Sequence, residues 1–256
     1  MGYVFNFKDA KSYDSWFEDR KNKHIFNLEV SMFMNMLSPV RGQRLLDIGC
    51  GSGKSIEPLL NCGLKISGID PSPYMLDIAE SRFKNRVDLF RGFAEDLPFE
   101  DNSFEYSSLF ASLEFTELPA KAIEEACRVT KDKIFVGVLN RYAPGNAAAM
   151  IKAKFVENIY SKSQFFSILE LKQLVFSILG RVPVSWRTTP QIPLVSGKYA
   201  YFIENNFLIQ KSPFGSMIGM TIKPVPKFRV RPLSIKSKSE ARYKPAAGFA
   251  RNIEQE

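Results

Sequence analysis

The stretch that decides the fold reads LLDIGCGSGKS and spans residues 45–55. A short apolar strand carries Asp47 near its end, and Gly49, Gly51 and Gly53 follow at alternate positions before a helical segment. Glycine lets the backbone turn sharply and approach a ligand closely, because no side chain intervenes. The N-terminus of the next helix offers free N–H groups and a partial positive charge, which favour a carboxylate on that ligand. The segment therefore predicts a strand, a ligand-binding glycine loop and a helix.

Two other glycine motifs do not fit this loop. The phosphate-binding motif G-x-x-x-x-G-K-[ST] matches at Gly53-Lys54-Ser55, but its first glycine would fall at Ile48. The dinucleotide motif G-x-G-x-x-G fails because Lys54 stands in place of the third glycine. The loop therefore favours neither a nucleoside triphosphate nor a dinucleotide.

Strands and helices alternate on both sides of the loop. Strands are expected at 44–49, 64–70, 87–92, 101–110 and 133–140, and helices at 27–38, 56–62, 73–83 and 119–129. This alternation predicts an α/β fold, a doubly wound, Rossmann-like and mainly parallel seven-stranded sheet with helices on both faces. Ligands on such sheets bind beyond the carboxyl ends of the strands. The expected contact points are residues 47–53, 70, 92–97 and 110–114.

The alternation changes after residue 140. Helices are expected at 147–160 and 167–179, strands at 184–188 and 214–223, and a helix, rather than a strand, at 198–208. We predict one domain over residues 1–223, with an N-terminal lid at about 1–26 and a helical insert on the substrate side at about 143–180. Residues 224–256 are expected to form a flexible basic tail.

Composition and charge are those of an ordinary globular protein. The chain has 256 residues, 45% of them hydrophobic, and a net charge of +8. Ten Lys/Arg and three Asp/Glu lie in residues 211–256, a balance of +7, so the first 210 residues carry only +1. The basic end could contact phosphates, but a solvated end is the more frequent case.

Other sequence features bear on the cellular compartment. The N-terminus does not resemble a signal peptide, and no apolar run is long enough to span a membrane. Cys50, Cys62 and Cys127 are too few and too scattered for a disulfide framework or a zinc site. We therefore expect a cytoplasmic protein without a bound metal; the oligomeric state is left open.

Two further strand ends carry candidate ligand contacts. Asp70 ends the second strand, where a carboxylate can accept both hydroxyls of a ribose; the alternative is a helix cap without a ligand. After the third strand, Phe93, Ala94 and Glu95 begin a loop that can present backbone N–H groups and an acidic side chain to an adenine edge.

Four segments in order carry a resemblance to a known family. They are DIGCGSG (47–53), GIDPSPYML (68–76), AEDLPFEDNSFE (94–105) and EEACRVT (124–130). Together they resemble the class I S-adenosylmethionine-dependent methyltransferases, in particular the type-11 group that includes quinone-biosynthesis C-methyltransferases. The likeness runs from about Tyr13 to Tyr142 and, more weakly, to the strand near 214–222.

The resemblance implies S-adenosylmethionine as the cofactor. In that family the glycine loop holds the methionyl end, the acid after the second strand holds the ribose, and the loop after the third strand holds the adenine. The implied cofactor-binding residues are Tyr13, Asp47, Gly49, Gly51, Gly53, Asp70, Pro71, Met75, Phe93, Ala94, Glu95 and Phe110.

The chain departs from the family at one position. Phe93 stands where relatives often have an acid that contacts the adenine amino group, so we expect Phe93 to stack on the base and Glu95 or Asp96 to be its polar partner. The segment YDSWFE (13–18) resembles a lid over the cofactor in the same family, with the Tyr13 hydroxyl near the transferred methyl group. Its aromatic residues could instead only pack the first helix.

Few residues are suited to acid–base chemistry. The candidates are Tyr13, Glu114 after the fourth strand and Tyr142 after the fifth, while His24, the only histidine, is expected at the surface. Methyl transfer from a sulfonium can proceed by positioning and desolvation alone, so no general base is required.

The favoured acceptor is a small molecule. One alternative is an RNA methyltransferase that uses the basic tail, but SLFASLEF (108–115) lacks the N/D-P-P-Y/F motif of base-amino methylases. Another is a protein that binds S-adenosylmethionine without turnover, since an intact glycine loop does not prove catalysis.

Overall fold

Seven strands form one sheet in the computed structural model, which describes residues 2–153, 159–189 and 210–224. The strands are β1 (Arg44–Ile48), β2 (Lys65–Asp70), β3 (Asp88–Arg91), β4 (Phe104–Phe110), β5 (Thr130–Leu139), β6 (Val184–Thr188) and β7 (Met217–Ile222). Their order is β3-β2-β1-β4-β5-β7-β6. β1 to β5 pair with one another in parallel, and β7 is antiparallel to both β5 and β6. The predicted fold class is confirmed.

Helices cover both faces of this sheet. They are α1 (Phe7–Trp16), α2 (Arg20–Leu37), α3 (Ile56–Asn61), α4 (Pro73–Phe83), α5 (Pro119–Val129), α6 (Pro144–Ala153) and α7 (Ile168–Leu179), with short 3-10 helices at Lys84–Arg86, Leu113–Phe115 and Ile159–Lys162. Apolar residues of α2, α3 and α4 pack on one face, and those of α5 and α7 on the other. Strands buried on both faces are apolar almost throughout, as in β1.

Local sequence signals fix several of these bounds. Ser72 caps α4 by accepting a hydrogen bond from Met75 N at 3.3 Å, and Pro73 occupies the first helical position. The helices predicted at 73–83 and 119–129 and the strand predicted at 184–188 are confirmed without change. In each case a proline or a short β-branched and aromatic run marks the boundary in the sequence itself.

Other bounds differ from the prediction. α1 was missed, although Asn6 and Asp9 form a capping box at its start. α2 begins at Arg20 rather than at residue 27, because its first turns are polar and lack apolar periodicity. β5 begins at Thr130, three residues before the predicted start, and the helix predicted at 147–160 spans Pro144–Ala153.

Two predicted segments, the helix at 198–208 and the tail from residue 225 onward, lie outside the described residues. Part of the predicted substrate-side insert is α7, and its buried residues Leu171 and Val175 belong to the core together with Ile123 of α5. The division into domain, lid, insert and tail stays a prediction. Within the described ranges, no helix has both the length and the apolar character needed to cross a membrane.

Candidate active site

A cavity opens at the carboxyl ends of the parallel strands, beside the point where the strand order reverses between β1 and β4. The lining residues are Gly2, Tyr3, Phe5, Tyr13, Phe26, Gly49, Cys50, Gly51, Lys54, Ser55, Asp70, Pro71, Met75, Phe93, Ala94, Glu95, Phe110, Ala111, Ser112, Phe115 and Thr116. Ten of the twelve predicted cofactor-binding residues are among them; Asp47 and Gly53 are not.

The glycine loop turns tightly under the cavity. The backbone N–H groups of Gly49 and Cys50 both donate to Ile69 O of β2, at 2.7 and 3.1 Å. Gly51 has φ +53°, and a β-carbon placed there would meet only Met75 Sδ at 3.8 Å. The backbone at Gly51 is therefore open to the cavity, as close approach to a ligand requires.

Asp70 braces this loop and lines the cavity as well. Its Oδ2 accepts a hydrogen bond from Gly51 N and its Oδ1 accepts one from Ser72 N, each at 2.9 Å. Burial raises the pKa of Asp70 to about 6, although the two backbone N–H bonds oppose that rise. Each oxygen keeps a second lone pair, so the same carboxylate can accept ribose hydroxyls. Ser72, not Asp70, is the N-cap of α4.

Asp47 and Gly53, which do not line the cavity, have structural roles in the loop. Asp47 is 1% exposed and accepts hydrogen bonds from Ser55 Oγ at 2.7 Å and Ser108 Oγ at 2.6 Å, so it ties the glycine loop to β4. A β-carbon at Gly53, which has φ +79°, would overlap the buried ring of Phe83. Both residues fix the conformation of the glycine loop through contacts on the side away from the cavity.

The end of the cavity assigned to adenine is lined by Pro71, Phe93, Ala94 and Glu95. Phe93 is 38% exposed and lines the cavity, so its ring is accessible to a planar ligand. Glu95 Oε1 accepts hydrogen bonds from the backbone N–H groups of Glu117 and Leu118, at 2.9 and 3.3 Å, ahead of α5. Part of its hydrogen-bonding capacity is therefore already used by the fold.

The N-terminal segment closes one side of the cavity. Tyr3 N donates to Phe115 O at 2.9 Å, and Ser72 Oγ donates to Phe5 O at 2.6 Å. The half-buried Tyr13 ring contacts the rings of Phe5 and Phe17 edge-on, at centroid distances of 5.9 and 5.1 Å. These contacts place Tyr13, but not Trp16, in the cavity wall.

Charged side chains hold α1 over the glycine loop. Asp14 Oδ1 lies 2.8 Å from Arg82 Nη2 and 3.6 Å from Lys54 Nζ, and it accepts a hydrogen bond from Ser52 Oγ at 3.1 Å. Partial burial alone would raise the pKa of Asp14, but Arg82 and Lys54 hold it below its usual value. Residues of the loop and of α4 therefore anchor α1.

Two buried carboxyl groups lie near the cavity without lining it. Glu114, in the 3-10 helix after β4, is 1% exposed, and burial raises its pKa to about 7. Glu29 of α2 is 8% exposed; burial and the charge of Glu114 raise its pKa to about 8. Sequence reasoning missed Glu29, although the signal exists: it interrupts an apolar helix face that carries Phe26 and Phe33.

The other acid–base candidates do not reach the cavity. Tyr142 is 58% exposed and is not a lining residue. The neighbouring Asn140 is buried and donates from Nδ2 to Pro213 O and Gly215 O, at 2.8 and 2.7 Å. His24 is exposed, as predicted. No local sequence pattern indicates Gly2, Tyr3 or Phe26, which reach the cavity only through the fold.

Comparisons with known proteins identify a family and several relatives. Residues 46–135 match the type-11 family described as "Methyltransferase domain". The uncharacterized protein MJ1123 of Methanocaldococcus jannaschii is 33% identical over 201 residues, covering 76% of this chain and 91% of that protein. A demethylmenaquinone methyltransferase of Renibacterium salmoninarum is 37% identical over 100 residues, covering 39% of this chain and only 42% of that protein.

A similar solved structure gives the same fold. It is an S-adenosylmethionine-dependent methyltransferase of Thermotoga maritima, described as a possible histamine N-methyltransferase, with TM-score 0.66 and 22% identity, covering 86% of this chain and 98% of that one. Fold, cavity and relatives together define a class I S-adenosylmethionine-dependent methyltransferase. Within that class, the chain belongs to the type-11 group, and S-adenosylmethionine is its cofactor.

The residues of the cavity fit this cofactor. The open backbone at Gly51, the carboxylate of Asp70 and the accessible ring of Phe93 follow one another along the strand ends, in the order of a methionyl group, a ribose and a base. When bound, the cofactor supplies an electrophilic methyl group on a positively charged sulfur. The residues of the chain bind it, orient it and exclude water.

Proposed function

We propose that this methyltransferase acts on a small-molecule acceptor, with the cofactor held by Gly51, Asp70, Phe93 and Tyr13. The observation that supports this proposal is the cavity itself. Aromatic rings line it, and the N-terminal segment covers it. Two hydrogen bonds hold that segment: Ser72 Oγ donates to Phe5 O, and Tyr3 N donates to Phe115 O. A covered apolar space suits a small organic acceptor better than a polynucleotide, which needs an open basic groove.

Charge and relatives support the same acceptor class. The first 210 residues have a net charge of only +1, which offers little attraction to phosphates. The related chains include a demethylmenaquinone methyltransferase and an Azorhizobium caulinodans ubiquinone biosynthesis O-methyltransferase, the latter 31% identical over 125 residues. Both names refer to small molecules.

Tyr13 has a defined part in this proposal. Burial, followed by the charges of Glu29 and Glu114, raises the pKa of its hydroxyl well above the usual value. Tyr13 therefore stays neutral and serves as a hydrogen-bond donor, not as a base, in the part of the cavity that takes the methyl acceptor. Tyr142, which lies away from the cavity, is given no catalytic part.

The cofactor contacts are tested with one substitution and one control. Asp70→Ala removes a charged acceptor for the ribose hydroxyls and should weaken S-adenosylmethionine binding by about ten- to a hundredfold. Asp132→Ala removes an exposed carboxylate at the opposite end of β5 and should leave affinity unchanged. Both affinities are measured by calorimetry, after thermal unfolding shows that both variants are folded. Equal affinities in the two variants would remove Asp70 from the cofactor site.

The acceptor class is tested with methyl-labelled S-adenosylmethionine. Labelled products from a panel of phenols, quinols, amines and thiols are compared with those from total RNA and protein. Label in small molecules supports the proposal. Label in RNA alone overturns it and favours the nucleic-acid alternative.

A further inference from the structure

Lys54 follows the glycine loop directly and is the one cation among the described residues that line the cavity. The same lining contains two carboxyl groups, those of Asp70 and Glu95. Among the charged side chains of this wall, only that of Lys54 attracts a negatively charged ligand group. The cofactor carries one such group, the carboxylate of its methionyl part.

The ammonium group of Lys54 keeps its hydrogen-bonding capacity for a ligand. Its Nζ lies 3.6 Å from Asp14 Oδ1, which is close enough for an ion pair but longer than a hydrogen bond. Within the described part of the chain, Nζ donates no hydrogen bond to another residue. Since an ammonium group has three N–H donors, it can bind a ligand carboxylate while it stays beside Asp14.

Asp14, the ion-pair partner on α1, is already held by other groups. Its Oδ1 lies 2.8 Å from Arg82 Nη2 and accepts a hydrogen bond from Ser52 Oγ at 3.1 Å. Burial would raise the pKa of Asp14, and Arg82 opposes that rise more than Lys54 does. Lys54 can therefore turn toward a ligand carboxylate without leaving the charge of Asp14 uncompensated.

An aromatic contact holds the ammonium group of Lys54 between α1 and the cavity. Its Nζ lies 5.3 Å from the ring centroid of Phe17, the C-cap of α1, which is within the usual distance of a cation–π contact. The Phe17 ring in turn contacts the ring of Tyr13 edge-on at 5.1 Å, and Tyr13 lines the cavity. Lys54 therefore contacts the end of α1 on one side and the cavity on the other.

We propose that Lys54 binds the methionyl carboxylate of the cofactor and, through Asp14, links that carboxylate to α1. This inference rests on the cofactor contacts proposed above and not on the class of the methyl acceptor. Lys54 is a specificity-determining residue, because it distinguishes ligands that carry the amino-acid carboxylate from ligands that lack it. It also couples the cavity to α1, since an ammonium group fixed by the ligand carboxylate holds Asp14 more strongly.

The test compares two ligands that differ by one carboxylate. They are S-adenosylhomocysteine and its decarboxylated form, which keeps the adenosine, the sulfur and the ammonium group. In calorimetry on the full chain, the wild type should bind the first about tenfold or more tightly than the second. Lys54→Met should lower the affinity for S-adenosylhomocysteine by about tenfold without lowering that for the decarboxylated form. Lys54→Arg, which keeps the charge, should retain most of the affinity, and Lys65→Met, at the exposed start of β2, should retain all of it. Lys54→Gln replaces the methionine variant if that variant does not fold.

Hydrogen exchange of the α1 amide groups tests the link to α1. In the wild type, saturating S-adenosylhomocysteine should slow exchange in residues 7–16 more than the saturating decarboxylated form does. This difference should vanish in Lys54→Met and in Asp14→Asn, whereas exchange in α5 should be the same with both ligands. A purely structural role of Lys54 would change exchange without ligand and give no difference between the two ligands.

Two results would overturn the inference. They are equal affinities of the wild type for both ligands, and a loss in Lys54→Met that is as large for the decarboxylated form. Equal exchange in α1 with both ligands would overturn the link through Asp14. Asp70→Ala separates this inference from the proposed function, because it should weaken the binding of both ligands to the same extent. If Asp70→Ala weakens both and Lys54→Met weakens neither, the inference alone is rejected. If Asp70→Ala binds both ligands as tightly as the wild type, the proposed ribose contact is rejected.

Discussion

Gly53→Ala tests a predicted cofactor-binding position that does not line the cavity. Gly53 has φ +79°, and a β-carbon there would overlap the ring of Phe83, which is 1% exposed at the end of α4. The substitution therefore adds backbone strain and overpacks a buried ring. At Gly42, which has φ +85°, an added β-carbon meets nothing within 4 Å, so Gly42→Ala adds strain alone.

The two effects have separate magnitudes. A left-handed backbone costs a residue with a side chain about 1–2 kcal/mol, and overpacking of a core costs about 1–3 kcal/mol. Gly53→Ala should therefore lower the free energy of unfolding by about 2–5 kcal/mol, and Gly42→Ala by about 1–2 kcal/mol. For a protein of this size, the difference corresponds to a melting temperature about 2–12 °C lower in Gly53→Ala.

Thermal unfolding and urea denaturation of both variants, without ligand, measure this difference. Calorimetry with S-adenosylhomocysteine then measures affinity at a temperature where both variants are folded. Equal stability losses at the two positions would refute the packing argument. A stable Gly53→Ala protein with lost cofactor affinity would return Gly53 to the cofactor site.

Three further predictions concern the lid, the tail and pH. Asp14→Asn removes the charge that pairs with Arg82 and Lys54. The free energy of unfolding, measured by urea denaturation, should therefore fall by about 1 kcal/mol, and by less at high salt. A loss that does not depend on salt would contradict this. Deletion of residues 232–256 should leave the melting temperature and the cofactor affinity unchanged. RNA binding in filter assays should be weak whether or not these residues are present. Submicromolar RNA binding that depends on them at physiological salt would favour the RNA alternative. Because the pKa of Glu29 rises from 4.5 in the unfolded chain to about 8, the native state binds more protons, and stability should fall as pH rises between these values. Glu29→Gln should flatten that slope in melting curves at pH 5 and pH 8, and parallel curves would contradict the assignment.

Much of the fold could be predicted because its signals are local. The alternation of apolar strands with helices follows from burial of each strand on both faces, and Ser72-Pro73 and Pro119 mark helix starts by their own backbone chemistry. α1 was missed because its apolar residues are few and form no long core face: Phe7 is exposed, Ala10 is buried and Tyr13 lines the cavity. Its polar capping box, Asn6 with Asp9, was the available signal.

The sequence by itself determined the glycine loop and Asp70, because carboxyl ends of parallel strands must meet at one edge of the sheet. Only the tertiary structure decided which of these groups face the ligand. Gly53 faces Phe83, and Asp47 faces Ser108, because the partners arrive from distant elements. The approach of Glu29 to the strand end that carries Glu114 likewise depends on how α2 packs across the sheet, and no local pattern encodes that packing.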